Sequence, residues 1–235
     1  MHAVMRRGRF GKSKAITMLT LNTDSLAGKS QSVLLLGAHC DDIEIGCAAT
    51  IAQWVRDYPQ LEFYWVVLSS NPVREREARR SAELLLTGAM KTIVIRQFRN
   101  GYFPYVGAEI KDYFEQLKEA INPSIVFTHY GQDNHQDHRL VAELTWNTFR
   151  DHLILEYEIP KYDGGMGSPN VFIPANDEDR ERKIHVLMDC FSSEHNKGWF
   201  TPETFNGLMR LRGVECNAPS GYAEAFYCRK IVLSS

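Results

Sequence analysis

Two short stretches of this sequence concentrate side chains that bind transition-metal ions. The first reads His-Cys-Asp-Asp at residues 39–42, and the second reads His-Gln-Asp-His at residues 135–138. Imidazole nitrogens and carboxylate oxygens suit Zn²⁺ or Fe²⁺, and a catalytic site normally uses three protein ligands so that one position stays open for water. By residue type, the candidate ligands are His39, Asp41, Asp42, His135 and His138. At least one carboxylate and one imidazole therefore remain for proton transfer and charge stabilisation.

Each stretch follows an apolar segment that is predicted to be a buried β-strand. These segments are residues 33–36 and residues 124–128, and the second of them comes after the helix-stopping pair Asn122-Pro123. Ligands of open parallel sheets bind beyond the carboxyl ends of the strands, so we expect the two stretches to meet at one edge of the sheet. Taken alone, Asp137 is equally typical of a helix N-cap. The convergence of two clusters favours a metal site.

The rest of the chain alternates apolar and amphipathic segments. Further strands are predicted at residues 61–68, 92–95, 153–157 and 225–232. Helices are predicted at residues 46–57, 74–86, 109–121, 138–150, 179–191 and 202–211. A loop rich in Gly and Pro is expected at residues 160–169. Alternation of this kind predicts an α/β fold in which a mostly parallel sheet carries helices on both faces.

Composition narrows the class of protein. The 235 residues carry a formal net charge of −2, with 44% hydrophobic and 24% charged residues. These proportions predict one globular domain over residues 31–235. So small a net charge gives no field to attract nucleic acid or an anionic membrane, and the apolar runs are far shorter than a membrane span. The five cysteines are an odd number in a chain that needs no disulfides, which favours a cytoplasmic location.

The N-terminal segment differs from the rest. Five basic residues precede the first acidic residue, Asp24. Its apolar stretch is interrupted by Thr17 and Thr20, and no small-residue cleavage pattern clearly follows, which is a poor match to a secretory signal. We therefore expect residues 1–30 to be a flexible basic extension.

The two metal-binding stretches resemble the hallmark motifs of a known family, the LmbE-like or PIG-L de-N-acetylases. That family has His-Pro-Asp-Asp after its first strand, then Gly-Cys-Gly-Gly-Thr, and further on His-Pro-Asp-His. The corresponding residues here are 39–42, 46–50 (Gly-Cys-Ala-Ala-Thr) and 135–138. The resemblance extends from about Val33 to the Tyr-Ala-Glu-Ala-Phe segment at residues 222–226.

The resemblance implies a fold and an activity. The fold would be a Rossmann-like three-layer α/β sandwich. The activity would be a zinc-dependent hydrolysis, with Fe²⁺ or another divalent metal as an alternative, that removes an N-acetyl group from an N-acetylglucosamine-type sugar or glycoconjugate. Position by position, the resemblance implies that His39, Asp42 and His138 bind the metal, that Asp41 is the general base, and that a protonated His135 stabilises the oxyanion.

Four further positions are interpreted through the same resemblance. Asp137 would orient an imidazole of the site. The two motif prolines are replaced by Cys40 and Gln136, which costs loop rigidity but removes no ligand, and the Cys40 thiol is expected to be a small packing residue. Arg74 begins a predicted helix where relatives commonly have an arginine that contacts substrate, although a solvated helix face explains it as well. Asn100 stands where relatives often have Asp, and it can hydrogen-bond a sugar hydroxyl.

Other functions remain open. An amidase of the same family would cleave a different amide. A nucleotide-binding or cofactor-binding Rossmann protein without metal chemistry would need a Gly-x-Gly-x-x-Gly turn, which the first turn lacks. A catalytically silent sugar-binding module would be expected to lose the base or a ligand, and neither is lost.

The partner implied is a small-molecule amino sugar, and self-association is also expected. Outside the motifs, His129, at the end of a strand, and the pair Glu194-His195, where the C-terminal part could close over the site, are expected near the site.

Overall fold

The computed structural model describes residues 31–232, so the N-terminal extension predicted at residues 1–30 lies outside the described residues. The strands are β1 (Ser32–Gly37), β2 (Glu62–Val67), β3 (Met90–Ile95), β4 (Ile125–His129), β5 (Leu153–Tyr157), β6 (Val171–Pro174) and β7 (Ala223–Tyr227). The α-helices are α1 (Asp42–Asp57), α2 (Pro72–Leu85), α3 (Gly107–Ala120), α4 (Gln136–Thr148), α5 (Asp177–Cys190) and α6 (Pro202–Glu215). Short 3₁₀ helices occupy Phe103–Tyr105 and Ser192–Glu194.

The strands form one mixed sheet in the order β3-β2-β1-β4-β5-β7-β6. The first five strands of that order are parallel, and β7 runs antiparallel to both β5 and β6. The prediction of an α/β fold with a mostly parallel sheet is therefore confirmed. At the centre of the sheet, β1 and β4 are neighbours, with Leu35 opposite Phe127.

The core lies on both faces of the sheet, and the alternation along β1 shows why. Val33 and Leu35 face one apolar cluster, which also includes residues of α1, α2 and α5. Leu34 and Leu36 face a second cluster, which includes residues of α3 and α4. A parallel strand covered by helices on both faces is apolar at every position, as β1 is. The result is a three-layer arrangement of helices, sheet and helices.

Several element boundaries differ from the predictions, and two of these differences concern the metal-binding stretches. Helix α1 begins at Asp42 rather than near residue 46, and α4 begins at Gln136 rather than after residue 138. Both stretches therefore run into the first turns of helices instead of lying in loops. Strand β6 was not predicted, because it has only four residues and lies half-exposed at the sheet edge after a segment rich in Gly and Pro. The last strand ends at Tyr227, five residues earlier than expected.

Two further expectations concern the membrane and the cysteines. Among residues 31–232, no helix is both long enough and apolar enough to cross a membrane. All five cysteines of the chain lie within this range, and none of them is in a disulfide.

Candidate metal centre

The sheet topology brings the two metal-binding stretches together. The adjacent parallel strands β1 and β4 end at the same edge, so the turn after β1 and the loop after β4 face each other. His39 lies in the turn between β1 and α1, and Asp42 is the first residue of α1. His138 lies in the first turn of α4. Convergence at the carboxyl ends of the strands is the arrangement expected for a ligand site in this class of sheet.

His39, Asp42 and His138 converge on one point. Nδ1 of His39 lies 3.1 Å from Nε2 of His138. Oδ2 of Asp42 lies 3.3 Å from Nδ1 of His39, and its Oδ1 lies 3.5 Å from Nε2 of His138. All three side chains are buried. These are the three residues for which the family resemblance implies metal ligation.

In His39 and in His138, the ring nitrogen that points away from the other two converging residues lies close to a further carboxylate. Nε2 of His39 lies 3.3 Å from Oδ2 of Asp137, and Nδ1 of His138 lies 3.0 Å from Oδ2 of Asp133. A carboxylate behind an imidazole fixes the tautomer and directs the other nitrogen inward, as it does for metal-bound histidines. The two inward nitrogens would repel each other at 3.1 Å unless a proton or a cation lay between them. The donor set therefore fits a divalent cation such as Zn²⁺ or Fe²⁺.

The expectation that Asp137 orients an imidazole agrees with this geometry, but the alternative that it is a helix N-cap is wrong. His135 is the N-cap of α4, and its Nδ1 accepts the Asp137 backbone N–H at 3.2 Å. The Asp137 carboxylate instead accepts the backbone N–H groups of Gly101 at 2.7 Å and Phe103 at 3.1 Å. It therefore links the His39 imidazole to the loop that follows β3. Asp133 was not predicted, because nothing in the local pattern sets it apart from other loop aspartates.

Two more histidines lie at the same point. His129 is buried, its ring stacks on His138 with centroids 3.9 Å apart, and its Nε2 lies 3.1 Å from Oδ2 of Asp42. His129 therefore supports two of the three converging residues, in agreement with its expected place beside the site. The half-buried ring of His135 lies 4.9 Å from that of His39 and 4.5 Å from that of His138. In each of two groups, namely His39-His135-His138 and Asp42-His129-His138, the possible ligand atoms lie within 4.8 Å of one another, so His135 or His129 can take part in binding a metal beside the three converging residues.

The ionisable side chains of the site differ in their protonation. Burial opposes a charge on His39, but the carboxylates of Asp42 and Asp137 outweigh it and raise the pKa of His39 to about 9. Burial lowers the pKa of His138 to about 3. Burial also opposes a charge on Asp42, but the three surrounding histidines hold its pKa well below the usual range. At neutral pH the site therefore contains a protonated His39, a neutral His138 and an ionised Asp42.

The expectation of a protonated His135 does not agree with its surroundings. Burial and the positive charge of His39 lower the pKa of His135, so its imidazole is neutral at pH 7. Because Nδ1 accepts a backbone N–H, the single proton of the neutral ring resides on Nε2. His135 thus remains a hydrogen-bond donor, but an uncharged one.

Asp41 and Arg74 form an ion pair beside the converging histidines. Nη2 of Arg74 lies 2.6 Å from Oδ1 of Asp41 and 3.2 Å from Oε1 of Glu194. Burial raises the pKa of Asp41, whereas the Arg74 guanidinium opposes that rise. Glu194 is itself buried and pairs with Lys197, which agrees with the expectation that the C-terminal part closes over the site.

These groups surround a cavity of about 150 Å³. Seven of the eight site residues inferred from sequence line it, namely His39, Asp41, Asp42, Arg74, Asn100, His135 and His138. The remaining lining residues are Ile159, Lys161, Lys197 and Trp199. These four come from the loops after β5 and α5, so no local motif could have predicted them. Cys40 does not line the cavity; its buried thiol donates to the Ser69 carbonyl, and burial raises its pKa, so it is a protonated packing residue.

Comparisons with known proteins agree with this geometry. Residues 34–149, which contain both metal-binding stretches, match the family model described as PIG-L, GlcNAc-PI de-N-acetylase. A curated relative from Escherichia coli, the uncharacterized deacetylase YaiS, is 27% identical over 150 residues, which are 58% of this chain and 78% of the relative.

Solved structures show the same fold. The N,N'-diacetylchitobiose deacetylase from Pyrococcus horikoshii has a TM-score of 0.61 at 19% identity, covering 84% of this chain and 83% of that chain. GalB, the 4-carboxy-2-hydroxymuconate hydratase from Pseudomonas putida, has a TM-score of 0.63 at 16% identity, covering 87% of this chain and 98% of that chain. Because a deacetylase and a hydratase share this fold, the fold alone does not decide the reaction. From the family match and the motifs that it contains, residues 34–149 of this chain are assigned to the PIG-L family of de-N-acetylases.

Proposed function

We propose that this protein is a metal-dependent hydrolase that removes an N-acetyl group from an N-acetylglucosamine-type amino sugar or glycoconjugate. The observation that carries the proposal is the convergence of His39, Asp42 and His138 beside the carboxylate of Asp41, within the residues that match the PIG-L family model. The name of the Escherichia coli relative supports a deacetylase, and the Pyrococcus neighbour is a deacetylase of an N-acetylated sugar.

In this proposal, His39, Asp42 and His138 hold one divalent cation, with Zn²⁺ as the first candidate and Fe²⁺ or another divalent metal as alternatives. Such a cation would polarise the amide carbonyl and make a water molecule more acidic at neutral pH. Asp137 and Asp133 hold the two imidazoles in the orientation that binding requires.

Asp41 is the general base in this proposal. Its carboxylate lines the cavity next to Asp42 and is held by Arg74, so it is fixed in position to take a proton from the attacking water. The same carboxyl group then returns the proton to the leaving amine. His135, as a neutral imidazole, donates a hydrogen bond from Nε2 to the oxygen on which negative charge develops.

The substrate side of the cavity has both polar and apolar walls. In this proposal Asn100, which is exposed and lines the cavity, hydrogen-bonds a sugar hydroxyl. The half-buried ring of Trp199 offers an apolar face to a sugar ring. The Trp199 ring packs against Phe200 and Phe205, whose ring centroids lie 5.6 Å and 6.4 Å from its own. Arg74 lines the same cavity, and both of its carboxylate contacts are made by Nη2, so in this proposal Nη1 donates to the substrate.

Two rival functions make different predictions. An amidase of the same family would use the same centre on a different amide, so only its substrate profile would differ. A nucleotide-binding protein without metal chemistry is disfavoured, because buried carboxylates occupy the turn after β1 where phosphate groups would need backbone amides.

For the location of the protein, the unpaired cysteines favour a reducing compartment, and we propose the cytoplasm.

The test combines metal analysis of the purified protein with measurement of amine release. The substrate panel contains N-acetylglucosaminyl glycosides, lipid-linked sugars and nucleotide sugars, together with acetamides that have no sugar. We expect one metal ion per chain, loss of activity on chelation and amine release only from the sugars. Full activity of a verified metal-free sample would contradict the mechanism, and cleavage of sugar-free amides alone would favour the amidase.

A further inference from the structure

Helix α1 is interrupted one turn after it begins. Cys47 has φ −148° and ψ 20°, which is not a helical conformation. The interruption divides α1 into a first segment at residues 42–46, which begins with Asp42, and a second segment that continues to Asp57. A break in a helix leaves backbone carbonyl and N–H groups without their usual partners, and buried groups of this kind need others.

Lys183 from α5 and Glu224 from β7 supply those partners. Nζ of Lys183 donates to the carbonyl of Ile45 at 2.6 Å, at the end of the first segment. The carboxylate of Glu224 accepts the backbone N–H groups of Ala49 at 3.1 Å and Thr50 at 2.7 Å, at the start of the second segment. The two side chains also bind each other at 2.6 Å, and they are only 2% and 3% exposed.

The charges match the two helix ends that meet at the break. A carbonyl end of a helix favours a cation, and an N–H end favours an anion. Lys183 lies at the former and Glu224 at the latter. A buried ion pair by itself contributes little to stability, because the cost of desolvating both charges offsets their attraction. The presence of two buried charged groups at this break, each bonded to a helix end, therefore points to a role in conformation.

The first segment is held on another side by Tyr157. A Cβ atom at Gly46 would lie 2.3 Å from the Tyr157 ring, so only glycine permits this close approach. The Tyr157 hydroxyl donates to the Leu36 carbonyl at 2.6 Å and lies 3.3 Å from Nε2 of His129. The short segment that begins with Asp42 is thus held between the Lys183–Glu224 pair and a tyrosine that contacts the histidine cluster.

We infer that Lys183 and Glu224 are positioning residues that set the first segment of α1 independently of the rest of the helix, and thereby aim Asp42 at His39 and His138. Neither residue lines the cavity, and neither touches a reacting atom. The inference has two consequences. The pair should hold the backbone of residues 42–46 in place, and this does not depend on the proposed function. The pair should also increase metal affinity, and this rests on the proposed function.

The backbone consequence is tested by hydrogen exchange on metal-free protein. The variants are Glu224→Gln, which removes the charge but keeps the size, and Lys183→Met. The matched control is Asp179→Asn, because Arg56–Asp179 at 2.6 Å joins the same two helices, α1 and α5, away from the break. We expect peptides covering residues 41–46 to exchange at least about tenfold faster in the two variants, with residues 52–57, beyond the amides that Glu224 binds, little changed. Equal acceleration in both segments, or none, would overturn the inference.

The metal consequence is tested by chelator competition with Zn²⁺. We expect Glu224→Gln to lower the affinity by about 10–100-fold, which is the size of effect typical of groups that orient ligands, and Asp179→Asn to leave it unchanged. Unchanged affinity in Glu224→Gln, when the wild-type protein binds zinc, would also overturn the inference. If the wild-type protein binds no metal, the proposed function fails and the exchange experiment still decides the role of the pair. If Lys183→Met does not fold, Glu224→Gln carries both measurements.

Discussion

The guanidinium of Arg74 lies 2.6 Å from the carboxylate of Asp41, and this ion pair joins two residues to which the family resemblance gives separate tasks. Asp41 was expected to move a proton and Arg74 to contact substrate. In the folded protein, Arg74 also lies 3.2 Å from Glu194, so it is held between two buried carboxylates. The state of the proposed base therefore depends on a residue of α2 and on a residue of the segment after α5.

Removing Arg74 should change the pH dependence of the reaction. Arg74 opposes the rise in the Asp41 pKa that burial causes, so Arg74→Gln should raise that pKa further. A base with a higher pKa becomes ionised only at higher pH. The acidic limb of the kcat/KM profile, which reports the free enzyme, should therefore move to higher pH. Arg79→Gln on the same helix, where Arg79 pairs with Glu75, is the control and should leave the profile in place. A profile that does not move in Arg74→Gln would refute this coupling.

Substitutions of the neighbouring residues Asp41 and Asp42 should impair the enzyme in different ways. Asp41→Asn removes the base but none of the three converging groups, so the metal should stay bound while kcat falls by about 10²–10⁴. Asp42→Ala removes a carboxylate that contacts both His39 and His138, so metal content and activity should fall together. Metal content and steady-state kinetics are measured on the same preparations. Near-normal kcat in Asp41→Asn would mean that another group is the base.

Metal binding should release a proton from His39. The metal-free protein holds the pKa of His39 at about 9, because the surrounding carboxylates outweigh burial, and an imidazole must be neutral to bind a metal. At about pH 7.5 we expect about one proton released from this group per metal bound, and this contribution should disappear as the pH rises through about 9. Calorimetry in buffers of different ionisation enthalpy measures the number of protons. A release that is constant across this range would contradict the assignment.

Asp133 should matter for metal affinity although it does not line the cavity. It lies 3.0 Å from Nδ1 of His138 and 2.7 Å from Nζ of Lys161. Asp133→Asn should lower metal affinity by about 10–100-fold, since groups behind a ligating histidine have effects of this size. Asp163→Asn is a suitable control, because Asp163 also pairs with Lys161 but has no contact with His138. Chelator competition compares the two, and equal affinities would show that Asp133 has no orienting role.

Trp199 should act on substrate binding rather than on the chemical step. If its ring receives the sugar, Trp199→Ala should raise KM for acetamido sugars with little change in kcat, because binding that is equal in the ground state and transition state affects KM alone. Trp199→Phe should recover part of the loss. The contrast to measure is a small acetamide without a sugar ring, whose hydrolysis should be unaffected. A loss of equal size on both substrates would exclude a sugar-specific contact.

The sequence by itself determined the local features of this protein. The apolar run that becomes β1 and the alternation of strands and helices predicted a mostly parallel sheet, because burial on both faces requires apolar side chains at successive positions. The His and Asp residues at 39–42 and 135–138, together with the rule that ligand sites form at the carboxyl ends of parallel strands, predicted the edge of the sheet at which they meet. The choice of His39, Asp42 and His138 among the five candidate ligands came from the family resemblance. These features depend on residues close together in the chain, and for that reason a pattern reveals them.

Only the tertiary structure decided which distant groups control that centre. Asp133 stands behind His138, Glu194 shares Arg74 with Asp41, and Lys183 and Glu224 fill the break in α1. The neutral state of His135 likewise follows from burial and from the charge on His39, which residue type does not give. Such contacts join residues up to 175 positions apart, as between Glu224 and the start of the second segment of α1. Their partners are set by how loops and helices pack over the sheet edge, and no local periodicity encodes that packing.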